Sequence, residues 1–91
     1  MSVLVRFIPP SLTAEQYDQT IRELEEAGNI PADGMDLHVC FGTDGSLKVS
    51  EVWDSREKFE AFGETLMPIL QNAGIDPGEP ELIEVHNIIK R

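Results

Sequence analysis

Apolar residues change rhythm along this chain, and each rhythm predicts an element. Residues 3–8, Val-Leu-Val-Arg-Phe-Ile, are rich in β-branched and aromatic side chains and close on Pro9-Pro10, which predicts a strand. Tyr17, Ile21 and Leu24 then recur at spacings of four and three, one apolar stripe of a helix over 14–27. Thr13 with Gln16 has the form of a capping box at its start, and Gly28 stops it with Pro31 just beyond. Residues 35–42 alternate as a second strand, and Asp44-Gly45 signals a hairpin into a third over 47–53. Asp54, with Glu57 three residues on, is expected to cap a second helix with the stripe Phe59, Phe62, Leu66, Ile69 and Leu70. Pro68 should kink or restart that helix, because proline lacks an N–H and crowds the preceding turn. Gly74 ends it, Pro77 to Pro80 turn the chain, and 81–89 are expected to form a fourth strand.

An internal echo supports this order. Ala27-Gly28 and Pro31 reappear as Ala73-Gly74 and Pro77, displaced by the same 46 residues, and Leu24 falls on Leu70. Two successive strand–helix–strand units predict an α+β, ferredoxin-like βαββαβ sandwich: one four-stranded antiparallel sheet with both helices on one face. Residues 1–91 are read as one such domain, since domains run from about 50 to 200 residues.

The sheet has too many apolar sides. On the first strand Val3, Val5 and Phe7 point one way, and Leu4, Arg6 and Ile8 the other. A sheet with one wet face alternates apolar with polar, and this strand does not. Two helices cover one face only, so a second copy of the chain is the simplest cover for the other, which predicts a homodimer. Uniform apolarity points to the face of Leu4, Ile8, Leu37, Val39, Phe41, Val52, Ile83 and Val85 as the one beneath the helices. The histidine-bearing face would then meet the partner.

Charge narrows the partners. Seventeen acids against seven bases give a net charge of -10, with the bases dispersed. Phosphate contact needs clustered Lys and Arg, so nucleic acid and acidic membranes are not expected. No apolar run approaches the ~18–20 residues that cross a bilayer, and no leader is legible, so the expected location is the cytosol. A lone Cys40 excludes an intramolecular disulfide and a cysteine-based zinc site; in an alternating strand it reads as a buried, inert thiol.

The order of elements, with Val52-Trp53-Asp54-Ser55 running from the third strand into the second helix, resembles the dimeric α+β barrel superfamily. Asp36-Leu37-His38-Val39 and Val85-His86-Asn87 are similar to segments of its small antibiotic-biosynthesis-monooxygenase-like members, most of which have no assigned role. The resemblance implies a homodimer with facing sheets and a small-molecule cavity in each protomer. Some relatives are cofactor-independent oxygenases of polycyclic aromatics, and others degrade haem with a helical histidine, an asparagine and a tryptophan. Here both histidines fall on predicted strands, and Trp53 alone has a counterpart among the oxygenases' cavity residues.

Candidate chemistry follows from register. A tight turn at Asp44-Gly45 sets Cys40 opposite Val49 and His38 opposite Glu51, so His38, Glu51 and Trp53 share one side of the sheet. By the echo, Glu84 and His86 join them. A carboxylate beside an imidazole fixes its tautomer, the basis of general acid–base work, so His38 and Glu51 are the catalytic candidates. Trp53 could stack an aromatic ligand; His86, Arg6 and Tyr17 are further ligand-binding candidates. Arg6, on the opposite face, is expected to meet a buried acid or an anion, and Tyr17 belongs to the helix core stripe. His38 and His86 lack a third ligand and sit on opposite edge strands, so no metal site is expected, and no cofactor signature is legible. Three readings result: a homodimer binding a small apolar or aromatic ligand, a cofactor-independent monooxygenase-like enzyme on an aromatic substrate, or an interaction module. The enzyme reading requires His38, Glu51 and Trp53 to converge on one open pocket.

Overall fold

Strands and helices alternate as the hydrophobic rhythm predicts in the computed structural model, which describes residues 2–91. In order they are β1 (Val3–Phe7), α1 (Ala14–Glu26), β2 (Met35–Phe41), β3 (Lys48–Trp53), α2 (Arg56–Asn72) and β4 (Glu81–Glu84). The sheet order is β2-β3-β1-β4 with every neighbouring pair antiparallel, so β1 and β3 are central. Ser46 N–H donates to the Thr43 carbonyl at 2.7 Å, closing the hairpin turn. From it the register runs Phe41 opposite Lys48, Cys40 opposite Val49 and His38 opposite Glu51, as the turn predicts.

Both helix ends carry the same stop. Gly28 takes φ +74° and Gly74 φ +71°, the left-handed region where a Cβ is unfavourable. In each, the glycine N–H reaches back three residues and the next N–H five: Asn29 to the Leu24 carbonyl at 2.8 Å, Ile75 to that of Leu70 at 2.9 Å. This is a Schellman ending, and it gives the 46-residue echo a physical meaning. The helix starts differ. Thr13 and Gln16 form the full reciprocal capping box, but α2 is capped by Ser55, whose hydroxyl accepts from Lys58 N–H at 3.3 Å. Asp54 sits one residue too early and instead lies 3.9 Å from the Lys58 ammonium. Pro68 does not restart the helix, which continues through it to Asn72.

The helices lie on the face opposite to the one expected. Val5 and Trp53 are fully buried beneath them, with Val3, Phe7 and Val49 nearly so. Leu37, Val39, Phe41 and Ile83 are 40–53% exposed on the other side. Uniform apolarity was the wrong criterion, because the covered face can hold polar groups wherever they hydrogen-bond one another. Its core is aromatic: Trp53 packs edge-on to Phe59 at 5.7 Å between ring centroids and against Phe62 at 5.4 Å.

The fourth strand is also shorter than the expected 81–89. β4 pairs with β1 from Glu81 opposite Arg6 to Glu84 opposite Val3, and Val85 N–H makes a last bond to the Ser2 carbonyl at 3.1 Å. Past that bond, residues 85–91 follow without regular structure. Among the described residues, no helix is long and apolar enough to cross a membrane.

Candidate functional site

Alternation on β3 points Val49, Glu51 and Trp53 toward the helices, and the cross-strand pair adds His38 from β2 on the same side. Tyr17, one turn into α1, comes down onto His38. Its ring lies nearly parallel to the imidazole, with centroids 5.8 Å apart. The four side chains form one hydrogen-bonded chain. Tyr17 Oη is 2.7 Å from His38 Nε2, His38 Nδ1 is 2.7 Å from Glu51 Oε2, and Trp53 Nε1–H donates to Glu51 Oε1 at 3.0 Å.

The chemistry of each atom assigns the directions. An indole N–H can only donate, so Glu51 Oε1 accepts. With Glu51 a carboxylate, Oε2 accepts the Nδ1–H of His38, which leaves the Nε2 lone pair for the phenol of Tyr17. Tyr17 keeps its proton well past neutrality. Burial, and then the negative charges of Cys40, Glu51 and Asp18, push its pKa from 10.0 up to about 12. Burial, with Asp18 adding, also pushes the Cys40 thiol up, which fits an unreactive cysteine. Glu51 is 3% exposed, and its carboxylate is held by two donors, so none of its burial is uncompensated.

Beside this chain lies a partly open cavity of about 70 Å³ between the sheet and the helices. Phe7 and Val49 form its floor, Ile21 and Leu24 come from α1, and Phe62, Leu66 and Leu70 come from α2. Ile30 and Ile75, each just past a Schellman ending, complete the lining with Pro9, Leu12 and Pro77. Tyr17, Thr20, His38 and Glu51 are its polar wall residues. The walls are otherwise apolar.

No protein-family model matches the chain, and no curated protein matches it. Solved structures do match. SnoaB, a cofactor-independent oxygenase from Streptomyces nogalater, aligns with a TM-score of 0.65 at 17% identity, over 99% of this chain and 96% of its own. A dimeric ferredoxin-like protein from an uncultured marine organism gives 0.65 at 12% identity, over 99% and 93%. A candidate antibiotic biosynthesis monooxygenase from Chloroflexus aurantiacus gives 0.64 at 20%, over 97% of both chains. This chain has their ferredoxin-like fold. At such identities the likeness is one of architecture.

Within this ferredoxin-like frame the sequence-derived candidates separate into two groups. His38, Glu51 and Tyr17 meet on the cavity wall. Trp53 touches Glu51 from behind, fully buried among aromatic rings, and does not line the cavity. Arg6 is on the outer face, where it pairs with Glu81 at 2.8 Å; both are exposed, so its partner is not the buried acid expected. His86 lies beyond β4, exposed and outside the sheet, while Glu84 reaches the inner side opposite Val3. Among the described residues no group of three His, Cys, Asp or Glu could hold a metal ion. Sequence reasoning missed the link from α1. The sequence reading places Tyr17 in the core stripe and among the ligand-binding candidates but not beside His38, although a buried tyrosine hydroxyl calls for a hydrogen-bond partner. Thr20 was missed as well, being a polar residue on the inward side of the same helix.

Proposed function

We propose that this protein is a homodimer that binds a small apolar or aromatic ligand in each protomer, in the cavity between sheet and helices. The carrying observation is an apolar cavity between sheet and helices whose lining includes the hydrogen-bonded residues Tyr17, His38 and Glu51. Small-molecule sites are concave and lined predominantly by hydrophobic and aromatic side chains, as this cavity is. The dimer is supported by the outer face of Leu37, Val39, Phe41 and Ile83, exposed in a single copy, and by the dimeric protein of the same fold. A net charge of -10 with dispersed bases weighs against nucleic acid as a partner, and an unpaired Cys40 is ordinary in the cytosol, where we place the protein.

The monooxygenase-like alternative draws on the name of SnoaB and on His38 and Glu51 as a general base. It has less support. Trp53, which that reading requires in the open pocket, is sealed away from the cavity.

Native mass spectrometry of the freshly purified protein tests the proposal in one spectrum. A dimer carrying added mass is expected. A clean monomer would overturn the dimer, and an unliganded dimer that also takes up no small aromatic at millimolar concentration would overturn the binding role.

A further inference from the structure

A phenol that loses an electron becomes a strong acid, so its oxidation is easy only where the hydroxyl proton can leave in the same step. Losing the proton beforehand is closed to Tyr17 near neutrality, because burial pushes its pKa up to about 12. The hydroxyl has a fixed acceptor instead. His38 Nε2 lies 2.7 Å away with its lone pair free, since the imidazole hydrogen is on Nδ1 and donates to Glu51 Oε2 at 2.7 Å. A proton arriving at Nε2 would make an imidazolium directly against that carboxylate, and an opposite charge at this range favours the charged form. Trp53 Nε1–H holds the other carboxylate oxygen at 3.0 Å, so the accepting pair is already in place before any charge moves.

We propose that Tyr17 is a one-electron redox site, oxidised to a neutral tyrosyl radical while its hydroxyl proton passes along the existing hydrogen bond to His38 Nε2. The step balances as follows. One electron leaves the phenol ring for an outer-sphere one-electron oxidant, the Oη–H bond breaks, an Nε2–H bond forms, and Glu51 carries the counter-charge of the imidazolium. Reduction of the radical returns the proton by the same bond. The inference stands apart from the binding role: it needs neither a ligand in the cavity nor a phenol oxygen turned towards it.

Trp53 is the competing electron donor, and the geometry favours Tyr17. Trp53 has no exposed surface, whereas Tyr17 is half-buried and lies against the partly exposed ring of His38. A proton sent from Trp53 to Glu51 would also cancel the charge that accepts from His38 Nδ1–H.

Glu51→Gln removes the proton acceptor without changing the shape of the chain. The amide oxygen still accepts from Trp53 Nε1–H, so the amide N–H₂ must donate to His38 Nδ1. The imidazole hydrogen then sits on Nε2 and donates to Tyr17 Oη. Tyr17 keeps its position and loses its base.

The test is flash photolysis of the full-length protein with ruthenium(II) tris-bipyridine and a cobalt(III) quencher, read by transient absorbance and EPR. The photogenerated ruthenium(III) complex is an outer-sphere oxidant, and a net charge of -10 draws the cation to the protein. With one tyrosine and one tryptophan in the chain, each aromatic radical signal has a single source. A tyrosyl radical is expected, formed about a hundredfold more slowly in Glu51→Gln and in His38→Phe, the usual effect of losing a positioned base. Equal rates in the unsubstituted protein and in Glu51→Gln overturn His38 as the proton acceptor. A radical on Trp53 alone, or no protein radical, overturns Tyr17 as the redox site. Because Glu51→Gln is isosteric, the comparison holds even where His38→Phe fails to fold.

Discussion

Glu51 and Trp53 offer a direct measurement of what the buried end of the chain contributes. Trp53 has no exposed surface, and its Nε1–H has Glu51 Oε1 as its partner at 3.0 Å. Replacing Glu51 by Leu leaves that N–H buried and unpaired, a penalty of about 1–3 kcal/mol. His38 loses its Nδ1 partner too, but its side chain is 20% exposed and can recruit water. Removal of a buried carboxylate returns part of this cost, so Glu51→Leu should destabilise by about 1–3 kcal/mol in total. Trp53→Phe removes ring volume from a packed aromatic cluster and should cost about 2–4 kcal/mol. The double variant no longer orphans the indole donor, since replacing both partners of a buried hydrogen bond with apolar groups is close to neutral, and the His38 term is common to both Glu51→Leu backgrounds. The second substitution should therefore cost about 2 kcal/mol less when made on top of the first. Urea unfolding followed by far-UV circular dichroism gives all four values; Trp53 is the only tryptophan, so its fluorescence cannot serve. Protomer concentration must be held constant, because dimerisation adds to the apparent stability. Additivity of the two substitutions to within about 0.5 kcal/mol would refute the argument that this hydrogen bond matters to the fold.

Tyr17 is the chain's only tyrosine, so absorbance near 295 nm follows its ionisation alone, and its midpoint should lie near pH 12 rather than 10. The folded protein then holds this proton longer than the unfolded chain does. The resulting stability is fully present below pH 10 and is lost as pH rises towards 12, and with Tyr17 partly exposed to solvent it amounts to about 1 kcal/mol. Tyr17→Phe should remove that alkaline loss in urea melts, and an equal loss in both proteins would count against the assignment. On the outer sheet face, Val39→Glu puts a charge among Leu37, Phe41 and Ile83, and size-exclusion chromatography should show the dimer replaced by a folded monomer. A dimer unaffected by that charge would mean that the protomers meet elsewhere.

The order of elements and the β2–β3 register were legible because each rests on local chemistry. A two-residue turn fixes which residues oppose, and alternation then carries the pairing back to His38 and Glu51. Failure came wherever a decision depended on what one element finds when it reaches another. Ile88 and Ile89 have strand-like side chains, yet a strand needs a neighbour, and the pairing of β4 with β1 ends at Glu84 opposite Val3. Apolarity likewise ranks a face by its composition, whereas burial depends on whether its polar atoms are satisfied. His38 and Glu51 made the inner face look the wetter of the two, but Tyr17 from above and Trp53 from the side complete their hydrogen bonds and remove that penalty. The misassigned face and the unassigned Tyr17 hydroxyl have one cause. Had Tyr17 been recognised as a hydroxyl needing a partner, the polar patch of the sheet would have been the place to look, and helix α1 would have been put on the correct side. A buried polar residue in a helix stripe is thus a long-range constraint: it says which face the helix covers, where the hydrophobic residues around it say only that some face is covered.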